Sequence, residues 1–145
     1  MSENEAEIEL DEAIARLGLE TRLAKVPCDA AQEFVAALRV PFVAGNPRVL
    51  WMGLGPQARS APYGSKDEWF ACLLAACASV GATAGVLVLE TDTDRYPVYR
   101  CSDVNAIRCA LSECAFFEYY FVDEHLRWFI ADTEHNEILT VTRHP

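Results

Sequence analysis

The sequence predicts an α+β domain: N-terminal helices, a short strand-helix-strand unit, and a C-terminal three-stranded antiparallel meander in one mixed sheet packed with helices. Three observations predict it. Apolar residues recur at helical spacing near the N-terminus and again across 66–80. The strand-like run Ala84–Glu90 is apolar without interruption up to its closing acid, as in a strand buried on both faces. From Phe116 onward, three strand-like runs are separated by short polar links. No linker, repeat or low-complexity stretch divides the chain, so residues 1–145 are expected to form one domain.

A first helix is expected from Glu5 to Leu23, with Ile8, Ala13, Ile14, Leu17 and Leu19 as its apolar stripe and a break near Gly18. Acids crowd its N-terminal end, where the helix dipole favours them. A second helix is predicted over Ala30–Leu38, capped by Asp29. Arg48–Leu54 reads as a short buried strand and Gly55–Ser65 as a long loop. Ser65 and Glu68 make a capping box before a helix from Lys66 to Val80, apolar almost all round and therefore central. With Ala84–Glu90 it suggests a right-handed crossover. Tyr96–Cys101, carrying Pro97, is expected at a sheet edge, and Asp103–Cys114 as a helix. The meander strands are Phe116–Val122, Leu126–Asp132 and Glu137–Arg143.

The net charge of −10 opposes binding to nucleic acid or anionic membranes and favours basic partners. The six cysteines contain no C-x-x-C pair, and the acidic N-terminus is unlike a signal peptide. Buried, reduced thiols in the cytoplasm are the expectation.

Familiar chemical motifs are absent. Gly53-x-Gly55 lacks both the third glycine of a dinucleotide loop and a following Gly-Lys-Ser/Thr, so it reads as a connector. His125 and His135 fall in predicted turns and His144 beside the end of the chain, without metal-ligand spacing. Asp92 and Asp94 read as turn residues, since no calcium-loop pattern surrounds them. No catalytic residue, metal or cofactor is therefore expected.

The feature that points to function is charge interleaved with aromatics. Between Leu111 and Glu137 seven acids stand against one base, Arg127. In Phe116–Val122, one strand face carries Phe117, Tyr119 and Phe121, a core face. The other carries Phe116, Glu118, Tyr120 and Val122, an acid flanked by large amphipathic rings. Such a surface suits capture of a basic protein. The expected contact residues are Glu118, Tyr120, Asp123, Glu124, Arg127, Asp132, Glu134 and Glu137. The plain alternative is an ordinary half-exposed sheet.

The segments Phe117–Val122, Leu126–Ile130 and Glu134–Leu139 resemble the C-terminal hairpins of small acidic bacterial proteins, some of them immunity proteins of polymorphic toxin systems. The resemblance covers about a fifth of the chain. It implies a cytoplasmic inhibitor that occludes the cleft of a cognate toxin domain, and it carries over no catalytic residue. Two other readings stay open: an acidic secretion-effector chaperone, and a small enzyme or ligand-binding domain using the 53–65 segment with Asp92 and Asp94.

Overall fold

The computed structural model describes residues 4–143 and shows an α+β fold, with one seven-stranded sheet between two layers of helix and turn. Helix α1 (Glu5–Leu17) is capped by the Asn4 side chain, which accepts the Glu7 N–H at 3.1 Å. It stops earlier than predicted because Gly18 adopts φ +66°, the left-handed end of a helix. The predicted tail of that helix is turn over 18–22, and its last residue, Leu23, opens strand β1 (Leu23–Lys25).

Helix α2 (Cys28–Phe42) is longer than predicted at both ends, and Pro27, not Asp29, occupies the cap position. Ala31, Val35, Leu38 and Phe42 form its buried stripe, and Phe42 holds the last turn in the core although Pro41 lacks an N–H there.

The expected strand at Arg48–Leu54 is instead a 3₁₀ turn at Leu50–Gly53. Its first two N–H groups are satisfied by side chains rather than a neighbouring strand: Leu50 N–H donates to Glu90 at 2.8 Å and Trp51 N–H to the Tyr120 hydroxyl at 3.3 Å. Inside the expected loop, Arg59–Pro62 forms the exposed edge strand β2.

Helix α3 (Lys66–Val80) has the predicted bounds, but the capping box does not close: Glu68 accepts the Gly64 N–H and Ser65 makes no cap bond. It is one-sided rather than central. Trp69, Phe70, Leu73, Ala76 and Cys77 are buried, and Leu74 is exposed.

Strands β3 (Gly85–Leu89), β4 (Val98–Cys101), β5 (Tyr119–Val122), β6 (Trp128–Thr133) and β7 (Glu137–Thr142) complete the sheet, with α4 (Val104–Leu111) between β4 and β5. The order is β1-β4-β3-β5-β6-β7-β2, and every pair is antiparallel, not mixed. Alternating directions leave β2 and β3 pointing the same way with three strands between them, so the helical connection spans the sheet. β4 begins after Pro97 and lies inside the sheet, between β1 and β3, rather than at an edge. The meander β5-β6-β7 forms as predicted.

Helices α1, α3 and α4 pack on one face of the sheet, against Leu87, Tyr119, Phe121 and Ile130. Helix α2 and the 3₁₀ turn cover the other, against Val88, Tyr120, Val122 and Phe129. The expectation of one half-exposed face on β5 is therefore corrected: all four residues, Tyr119–Val122, are buried.

The cysteines divide likewise. Cys77, Cys101 and Cys114 are buried, Cys72 is partly so, and Cys28 and Cys109 are exposed, contrary to the expectation that all are covered. Burial pushes the Cys77 thiol up to about 12 and Cys101 to about 11. Native protein treated with a disulfide reagent at pH 8 should label Cys28 and Cys109 in a fast phase, and Cys77 and Cys101 only on unfolding. Comparable rates for all would mean the core opens far more readily than its packing implies.

Candidate functional site

The eight residues expected at a partner surface do not form one patch. The β5–β6 turn and the β6–β7 turn lie at opposite ends of the sheet, separated by the length of β6, about 20 Å. Asp123, Glu124 and Arg127 occupy one end; Glu118, Asp132, Glu134 and Glu137 occupy the other. Three of the eight are withdrawn from the surface: Tyr120 is 0% exposed, Asp132 1% and Asp123 5%. As direct contacts for a partner these three are corrected.

The first end neutralises itself. Asp123 accepts from Arg127 Nε at 2.6 Å and from its backbone N–H at 3.0 Å. Burial alone would raise the Asp123 carboxyl, but the bonds from Arg127 outweigh it and hold the pKa below its ordinary value. Glu124 pairs with Arg100 at 3.4 Å.

At the other end the carboxylates divide between structure and surface. Glu90 accepts from Leu50 N–H, from Thr91 N–H and from the Tyr120 hydroxyl. Glu118, half-buried, accepts from Trp51 Nε1 at 2.5 Å and from Glu134 N–H at 3.1 Å. Burial raises the pKa of Glu118. Tyr120 and Glu118 thus anchor the 3₁₀ turn to the sheet. Glu134 is exposed, and Glu137, partly exposed, accepts the Ser60 hydroxyl at 2.5 Å. Among the described residues no Lys or Arg forms an ion pair with Glu118, Glu134 or Glu137. Asp92 and Asp94 lie exposed in the bend after β3, at this same end.

Beside these acids, on the α3 face, opens a cavity of about 280 Å³. Its lining includes Tyr63, Trp69, Phe116, Phe117, Tyr119 and Asp132, with Lys66 also at its wall. The Tyr63 hydroxyl donates to Asp132 Oδ1 at 2.7 Å, and Trp69 Nε1 donates to the Tyr119 hydroxyl at 2.7 Å. Tyr119 and Trp69 stand close enough to draw the Asp132 pKa down, yet neither completes a hydrogen bond to Oδ2, which is buried without a partner. Burial dominates and raises the carboxyl to about 6. A buried carboxylate with a spare oxygen in an apolar cavity is what a binding or proton-transfer site uses.

Asp132, expected at a partner surface, lines this cavity instead, together with Tyr119, expected on a core face. The available signal was an aspartate inside the otherwise apolar run Trp128–Ala131. Of the 53–65 segment only Tyr63 lines the cavity, and Gly53 and Gly55 do not open a helix. His125 and His135 are exposed in turns as predicted, and His144 lies outside the described residues. Among the described residues no cluster of three or more His, Cys, Asp or Glu could hold a metal ion, and no helix is long and apolar enough to cross a membrane.

Comparison of the chain with protein-family models, with curated proteins and with solved structures finds no match.

Proposed function

We propose that the chain is a cytoplasmic immunity protein that binds a basic, cognate toxin domain and occludes its active or substrate cleft. The observation that supports this reading most is the asymmetry of the two sheet ends. At the β6–β7 end, Glu134 and Glu137 have no Lys or Arg partner among the described residues, and Glu134 meets only the exposed His135 ring at 3.8 Å, beside an open cavity. At the other end, Asp123 and Glu124 are held by arginines. An uncompensated acidic rim around an apolar recess steers a basic partner and gives it a place to bury a side chain. The net charge of −10 adds long-range attraction.

The test is co-expression. A basic toxin domain that co-purifies with the chain should form a stoichiometric complex, and host growth should recover when both are made together. A partner that stays toxic while bound would favour the secretion-chaperone reading instead. The cavity with Asp132 favours a second reading, a small-ligand-binding domain. A chain that binds a small molecule tightly and captures no protein would establish it over the first.

A further inference from the structure

We propose that the cavity between α3, β5 and β6 is a recognition site for a small organic ammonium group, held by an aromatic enclosure with Asp132 as its counter-charge. This goes beyond toxin binding and does not depend on it. Tyr63, Trp69, Phe116, Phe117 and Tyr119 supply five rings around a space of about 280 Å³. Phe117 meets Tyr119 edge-on at 6.5 Å, so two of the five rings pack directly against each other. The electron-rich faces of such rings attract cations, and alkylated ammonium ions suit them because little hydration is lost.

The second, independent observation is the carboxylate. Asp132 is 1% exposed, lines the cavity, and leaves Oδ2 without a hydrogen bond. A buried oxygen in that state carries an unmet cost, which a cation beside it offsets. Lys66, exposed at the wall, makes no ion pair with Asp132 and so does not supply that charge. A neutral apolar ligand would fill the space and leave the carboxylate uncompensated. An anion would be repelled by it.

The ammonium could come from a free small molecule or from an alkylated lysine on a protein, and one titration series separates these sources. The full chain is titrated by calorimetry and NMR with choline, with its neutral isostere 3,3-dimethylbutan-1-ol, and with N-acetyl-trimethyllysine amide. Choline should bind at least about tenfold more tightly than the neutral isostere. Asp132→Asn keeps an acceptor for Tyr63 and should lose about tenfold or more in choline affinity while staying folded. Phe116, 56% exposed, can be removed without harm to the core, and Phe116→Ala should weaken choline binding as well. Tighter binding of the trimethyllysine compound than of choline assigns the site to a protein-borne cation, and the reverse to a free one. Equal affinity for choline and its isostere, or undiminished choline binding by Asp132→Asn, overturns the proposal. These results are read on the chain alone, so they leave the toxin-binding reading to its own test.

Discussion

Tyr120→Ala should lower the unfolding free energy by about 3–5 kcal/mol, as loss of a large buried ring does. Tyr120 is 0% exposed and packs against Phe129 with ring centroids 5.2 Å apart. Its hydroxyl donates to Glu90 and accepts the Trp51 N–H, tying the 3₁₀ turn to the middle of the sheet. Removing the side chain therefore opens a cavity in the α2-side core and strips two half-buried partners, Glu90 and Trp51, of a hydrogen bond. Tyr120→Phe isolates the second contribution and should cost about 1–3 kcal/mol. Denaturant titrations of both variants measure these losses. A cost below about 1 kcal/mol for Tyr120→Ala would return Tyr120 to the surface as a binding anchor, the role its alternation in the strand first suggested.

Asp132→Asn should do the opposite and stabilise the protein at neutral pH, by about 1–3 kcal/mol. The folded state raises this carboxyl from its ordinary 3.8 to about 6, chiefly through burial. Between those values the folded chain holds the proton and the unfolded chain does not. Stability contributed by the protonated group is thus fully present below about pH 4 and is lost as pH rises through about 6. Asparagine cannot ionise, so the variant avoids that loss. Thermal unfolding of both proteins from pH 4 to pH 8 should show nearly equal stabilities at the acid end and a gap favouring the variant above pH 6. Groups that titrate in both chains cancel in the difference. A variant less stable than the parent at pH 7 would show that the charge is supported by its neighbours. Asp132 would then be a structural residue rather than one retained at a cost to stability.

The sheet's C-terminal meander was legible in the sequence because period-2 apolar runs and short polar links are local signals. The start of α3 was legible for the same reason, since Ser65 stands at its N-cap position, and Gly81, left-handed at φ +71°, ends it. What escaped was set by distant partners. Leu50–Gly53 has strand-forming residues, but Glu90, Glu118 and Tyr120 satisfy its N–H groups and the indole. β2 carries Pro62 and no buried residue, so nothing in its own composition marks it as a strand. Only β7 makes it one. The burial of Tyr120 likewise depends on α2 and the 3₁₀ turn crossing the second sheet face. Among the candidate site residues, the exposed turn acids were correctly placed at the surface. Their division between two ends follows from the hairpin geometry, since successive turns of a meander alternate ends.

Because the two turns lie at opposite ends, paired charge removal tests whether the β6–β7 end receives a basic partner. Glu134→Gln with Glu137→Gln neutralises the proposed end. Glu20→Gln with Glu124→Gln removes the same charge from exposed sites at the opposite end, near the start of β1 and the end of β5. Surface substitutions of this kind should each change stability by only a few tenths of a kcal/mol. Association kinetics with the captured partner are then measured at two ionic strengths. Association should be slower and its salt dependence flatter for the Glu134/Glu137 variant than for the Glu20/Glu124 variant, because steering acts over about 8–10 Å in physiological salt. Equal effects, or a larger effect from the Glu20/Glu124 pair, would contradict binding at the β6–β7 end.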